Sequence, residues 1–194
     1  MRPWIFGITG ASGSRIALRM LEYLCGAGYP LRLVASDTGR AVFRQETGFA
    51  LETFLTTLGG ESLVLEDNRD LFSPIASGSF PAAGMFIVPC SMSTAGRLAA
   101  GMGDTLLLRA ADVCIKEGRR LVLSPRETPL SAIHLRNLLA LREAGCVICP
   151  PMPAFYNRFD SPDQLIDNLA GRILAAGGVE NPLYRPWEGQ SWHT

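Results

Sequence analysis

Five short apolar runs recur along the chain: Trp4 to Thr9, Leu31 to Ala35, Met85 to Pro89, Arg120 to Leu123 and Cys146 to Pro150. Each is followed by a loop and a stretch with helical spacing, the alternation that joins parallel strands through crossover helices. The runs are nearly continuous in apolar character, so both faces of the sheet are expected to be covered. The fold class is therefore α/β: a doubly wound, mainly parallel sheet with helices on both faces. At 194 residues, 47% of them hydrophobic, the chain is long enough to bury such a core in one domain without a staple.

The helical stretches are legible. Ser14 to Cys25 carries Ile16, Leu18, Met20, Leu21 and Leu24; Thr105 to Lys116 and Ser131 to Glu143 follow the same spacing. A last helix opens with Ser161-Pro162-Asp163-Gln164, a capping-box spacing with Pro at the first helical position. One domain over 1–177 is expected, with 178–194 as a tail docking over the site or on a neighbouring subunit. Residues 51–80 show the least pattern.

Charge narrows the function. Lys+Arg and Asp+Glu balance at 18 each, which leaves no basic surplus for nucleic acid. The start, MRPWIFGITGASG, lacks the apolar stretch of a secretion signal, and no run is long enough to span a bilayer, so a cytoplasmic protein without a membrane partner is expected. Five cysteines, an odd number, suggest reduced thiols. Cys146 and Cys149 have a metal or redox spacing, but inside a strand residues three apart face opposite sides and cannot share an ion. No Asp-Asp-x-x-Asp pair stands ready to hold magnesium on a diphosphate, so no metal is expected. The only histidines, His134 and His193, follow no nucleophile elbow.

Two loops draw attention. The first strand runs through Gly7-Ile8-Thr9-Gly10-Ala11-Ser12-Gly13-Ser14 into a helix, where small residues let backbone N–H groups approach an anion at the positive end of the helix dipole. Neither the dinucleotide spacing nor a Walker lysine is present. The third ends in Pro89-Cys90-Ser91-Met92-Ser93-Thr94, and Ser36 ends the second. Serine caps alone explain each one; together, at the carboxyl edge of an open α/β sheet, they favour a nucleotide or flavin phosphate. A second set is charged: Arg109 and Lys116, seven apart on one helical face, with Arg126-Glu127 after a strand, Tyr156 in a Pro-rich loop and Arg172 in the last helix. Cations around one carboxylate suit a small phosphorylated substrate whose leaving group needs charge neutralisation and a proton.

The segments ITGASGS (8–14), ASGSF (76–80), PCSMST (89–94), LLRAADVCIKEGRRLVLSPRETPLSAIHL (107–135) and PPMPAFY (150–156) together resemble the flavin prenyltransferases of the UbiX type, formerly described as aromatic acid decarboxylases. The resemblance implies a Rossmann-like flavoprotein fold and transfer of a dimethylallyl group from dimethylallyl monophosphate to N5 and C6 of reduced FMN. The prenylated FMN serves a separate UbiD-type decarboxylase, and the enzyme assembles as a homododecamer with sites shared between copies. It also implies residues. Gly10, Ala11, Ser12, Ser36, Ser91, Met92, Ser93, Thr94 and Arg109 would surround FMN; Lys116, Arg126, Tyr156 and Arg172 would hold the substrate phosphate, with Trp187 as a closing aromatic. Glu127 would exchange a proton with that phosphate, and Glu46 would lie near the reacting flavin edge, with Lys116 and Ser12 sharing in the chemistry. Where some members carry tryptophan this chain has Leu71, and where some carry asparagine it has Thr105. The alternatives are an FMN-binding accessory protein without turnover and a flavin-dependent decarboxylase of the cysteine-decarboxylase type; the latter uses a histidine in the N-terminal half, where this chain has none.

Overall fold

β-Branched and aromatic residues without polar interruption favour extended chain that is buried on both sides, and six such segments form one sheet. In the computed structural model, which describes residues 1–59, 62–187 and 189, the strands are β1 (Trp4–Ile8), β2 (Leu31–Ala35), β3 (Leu63–Glu66), β4 (Gly84–Cys90), β5 (Arg120–Pro125) and β6 (Val147–Ile148). All pairs are parallel, in the order β3-β2-β1-β4-β5-β6. The chain order therefore reverses between β1 and β4, the switch point at which such sheets open a crevice.

Helices cover both faces. On one side Phe6 and Ile8 pack with residues of α1 (Ser14–Gly26), α2 (Asp37–Thr47), α3 (Leu51–Leu58) and α7 (Pro162–Ala176). On the other, Ile5, Met85 and Ile87 pack with α4 (Met92–Ala99), α5 (Leu106–Lys116) and α6 (Ala132–Glu143). Thr105, Ser131 and Ser161 lie one residue before their helices and cap them, accepting from the N–H groups of Leu108, His134 and Gln164. The full reciprocal capping box forms at Ser131–His134. At Ser161, Gln164 reaches one residue further back, accepting from the N–H of Asp160 at 2.9 Å.

The expected strand from Cys146 to Pro150 is cut to Val147–Ile148. Pro150 and Pro151 have no N–H to give a ladder, so the chain leaves the sheet there. Cys146 and Cys149 flank the strand and join opposite cores, as alternation requires. All five thiols are free; burial pushes Cys90 and Cys114 up to about 12 and Cys146 to about 11, which makes them poor nucleophiles. Within the unreadable 51–80 stretch lie α3, the edge strand β3 and a 3-10 turn at Pro74–Ala76. A strap over 67–80 hangs on buried Glu66, which accepts from Ser73 Oγ at 2.9 Å and from Arg32 at 2.9 Å.

Candidate active site

The crevice between β1 and β4 is closed at its floor by Thr9, the one polar residue that ends the apolar first run. Its N–H and hydroxyl both donate to the Pro89 carbonyl, at 3.2 and 2.9 Å, and its oxygen accepts from the Ser91 N–H at 2.7 Å. Pro89 has no N–H, and the β4–β5 register shifts between Ile87 and Cys90, so the strand end needs such a partner. Gly10 carries the chain past α2: a Cβ there would lie 2.6 Å from Thr38 Oγ1.

Three helices start at this edge. Ser36 caps α2 by accepting from the Gly39 N–H at 3.0 Å, and Ser91 caps α4 by accepting from the Thr94 N–H at 3.2 Å, with the Thr94 hydroxyl 3.0 Å away. These hydroxyls act as caps, while the other first-turn N–H groups of α2 and α4 have no partner within their helices and remain open to an anion. Ser93 is exposed at that turn. Met92 opens α4 with its side chain buried in the core with Ala95 and Leu98, so it is the backbone of this residue that lies at the helix start.

The start of α1 differs from the expected phosphate loop. Glu46, at the far end of α2, accepts from the N–H groups of Gly13 and Ser14 at 3.0 and 2.7 Å. The anion at this helix start is thus the protein's own carboxylate. Burial works to raise the Glu46 carboxyl, but hydrogen bonds from the Ser12 hydroxyl and from the Gly13 and Ser14 backbones outweigh it and hold the group below its ordinary value. Glu46 is accordingly an ionised acceptor at neutral pH. Ala11, next to it in the loop, donates its N–H to the Thr9 carbonyl at 2.8 Å.

The charged set divides in two. Arg126 and Glu127 leave the end of β5 at the same edge: the Arg126 N–H donates to the Cys90 carbonyl at 3.3 Å and its Nε to the Ser12 carbonyl at 3.4 Å. Glu127 is exposed and accepts only from the Thr128 N–H, at 3.2 Å, among the described residues. Tyr156 meets Trp187 edge-on at 4.9 Å, and Arg172 lies 5.5 Å from the Tyr184 ring. Arg109 and Lys116 do not join them. Both face the 74–80 strap as their spacing predicts, Arg109 donating to the Ala76 carbonyl at 3.0 Å and pairing with Asp112 at 2.8 Å, Lys116 pairing with Glu117 beside Gly78. The expected cluster is therefore not assembled within one copy. Lys116 precedes the start of β5 and Glu127 follows its end, which puts roughly 20 Å of strand and flanking chain between them within one copy.

Sequence reasoning missed Thr9, Asn181 and Tyr184 as organising residues. Thr9 carried a signal, a lone polar residue closing an apolar run; the tail residues carried none. His193 lies outside the described residues. Among the described residues no group of three or more His, Cys, Asp or Glu side chains gathers as a metal site, and no helix is long and apolar enough to cross a membrane.

A doubly wound sheet with helix starts open to an anion at its switch point defines a nucleotide-binding α/β protein. Residues 1–174 match the Flavoprotein family, and the chain belongs to it. It is 42% identical over 199 residues to the flavin prenyltransferase UbiX of Synechocystis sp., covering 97% of each chain. The crystal structure of AnUbiX (PadA1) in complex with FMN and dimethylallyl pyrophosphate superposes with a TM-score of 0.92 at 39% identity, covering 98% of this chain and 99% of that one. A dodecameric FMN-dependent Ubix-like decarboxylase from Escherichia coli O157:H7 gives a TM-score of 0.90 at 39% identity, covering 96% of this chain and 100% of that one.

Proposed function

We propose that this protein transfers the dimethylallyl group of dimethylallyl monophosphate to N5 and C6 of reduced FMN, and that the prenylated FMN serves a UbiD-type decarboxylase. The observation that carries the reading is the convergence at one sheet edge of anion-directed helix starts with Arg126 and Glu127, Arg126 reaching back to the Ser12 carbonyl. The crevice suits FMN: Gly10 lets the loop lie flat against Thr38, and the first turns of α2 and α4, at Ser36 and Ser91–Thr94, offer N–H groups to its phosphate. Reduced FMN supplies the nucleophilic N5 and C6.

The chain's own residues supply the rest. A monophosphate is a poor leaving group from an allylic carbon, so the departing electron pair needs positive charge and a proton. Arg126, Arg172 and the Tyr156 hydroxyl hold the phosphate, and Glu127 exchanges a proton with it. Glu46, ionised and hydrogen-bonded by Ser12, takes up the proton released when a carbon bonds to N5. Trp187 beside Tyr156 provides an aromatic wall that excludes water from the allylic cation. Lys116 and Arg109 complete a site only if it draws on a neighbouring copy, as in a homododecamer.

The test is mass spectrometry of the flavin after anaerobic incubation of the protein with reduced FMN and either dimethylallyl monophosphate or the diphosphate. A mass gain of one prenyl group with the monophosphate is expected, with FMN preferred over riboflavin. FMN bound but unchanged with both donors would instead describe an accessory protein.

A further inference from the structure

The chain after α7 turns back on that helix. Asn181 holds the turn with four hydrogen bonds: its Nδ2 donates to the carbonyls of Gly171 and Val179 at 3.0 and 3.1 Å, and its Oδ1 accepts from the N–H groups of Leu183 and Tyr184 at 3.1 and 3.2 Å. The strap sits directly on the helix backbone, since a Cβ on Gly171 would lie 2.5 Å from the Tyr184 nitrogen. Tyr23 adds a second anchor, its hydroxyl donating to the Glu180 carbonyl at 2.8 Å, and Val179 is buried in the core. From this fixed turn two aromatic rings project three residues apart. Tyr184 lies over the Arg172 guanidinium, and Trp187 meets Tyr156. The Arg172 charge is also close enough to Cys149 to oppose the upward push of burial on that thiol, which locates it near the end of β6.

We infer that Tyr184 and Asn181 are positioning residues for the donor phosphate: Asn181 sets the register of the C-terminal strap, and Tyr184 holds Arg172 through its ring face where the phosphate is bound. This rests on the proposed role of Arg172. An arginine on a helix surface otherwise samples many rotamers, and a cation over an aromatic face restricts them at little cost in charge.

The experiment measures anaerobic steady-state prenyl transfer with excess reduced FMN and dimethylallyl monophosphate as the varied substrate, alongside FMN affinity. Tyr184→Leu is expected to raise KM for the donor about five-fold, with kcat and FMN affinity unchanged, and Tyr184→Phe, which keeps the ring, to restore the wild-type KM. Asn181→Ala is expected to raise KM further, about ten-fold, because the whole strap loses its register. Arg172→Ala is the reference. If it raises KM while Tyr184→Leu does not, the strap has no positioning role and the inference fails. If Arg172→Ala leaves KM unchanged, the assignment of Arg172 to the phosphate fails instead. A Tyr184→Leu protein that does not fold is replaced by Tyr184→Met, and loss of kcat, FMN affinity and melting temperature together in that variant would show a purely structural residue and overturn the inference.

Discussion

Thr9 and Glu127 share the carboxyl edge of the sheet, yet Thr9 is buried with three hydrogen bonds while Glu127 is exposed and accepts one bond from the next residue's N–H. The crevice floor around Thr9 is tied together within one copy by strand ends, caps and the Glu46 carboxylate, with first-turn N–H groups of α2 and α4 left open to a ligand. The charged rim above β5 and α7 is not complete in one copy, because Lys116 and Arg109 are directed to the 74–80 strap at a distance from Glu127. A rim that holds Arg126 and Arg172 but not Lys116 or Arg109 in one copy would gain those two cations only from a neighbouring copy. Substitutions in the floor should therefore act on stability and flavin affinity, and substitutions in the rim on donor binding and turnover.

The sharpest way to separate the two regions is Glu127→Gln. It should keep FMN and donor binding and slow single-turnover formation of prenylated flavin by about 10²-fold, nearly 3 kcal/mol of barrier, followed anaerobically by absorbance. A wild-type rate would make Glu127 a bystander in the rim. In the floor, Thr9→Val keeps shape and removes the hydroxyl that joins β1 to β4, leaving the Ser91 N–H without its acceptor. It should lower unfolding free energy by about 2 kcal/mol in denaturant titration, with activity per folded molecule less affected than in the Glu127 variant. Lys116→Ala should weaken donor binding about ten-fold, close to 1.4 kcal/mol, and leave FMN affinity intact. That result, read beside oligomer size, would tie the rim to assembly. Ser36→Ala removes a cap and should lower stability by about 1 kcal/mol, with a loss of affinity for FMN that riboflavin does not show.

The smallest effect is a pH dependence. Glu46 has its carboxyl held below the ordinary glutamate value, so its contribution to stability is present above that value, near pH 4.3, and is lost as the pH falls through the lower native one. Glu46→Gln should flatten the acid limb of a stability-versus-pH curve while leaving the neutral plateau, apart from a constant offset, in place. An unchanged acid limb would mean that the helix start at Gly13 does not depend on this carboxylate.

Much of this could be read from residue order. The apolar runs gave four of the six strands nearly to their ends, because a strand buried on both faces has no polar positions to blur it. β3 escaped because it is an edge strand, half-buried along most of its length, and β6 shrank because two prolines end it. Of the candidate residues, Ser12, Ser36, Ser91, Thr94, Arg126 and Glu127 meet at one sheet edge in the folded chain. Local position explains this: each lies within a few residues of the carboxyl end of a strand, and all those ends share one side of a parallel sheet.

What the sequence determined alone is the parallel α/β plan, the caps and the edge at which chemistry gathers, since these follow from periodicity and nearest neighbours. The tertiary structure decided the rest. Glu46 reaches the start of α1 from more than thirty residues away, Tyr184 comes to rest on Arg172 through the turn at Asn181, and Lys116 faces away from Glu127 because α5 runs against the strands. Each of these depends on how elements pack against one another, and the spacing of residues along one element carries no information about which distant element will meet it.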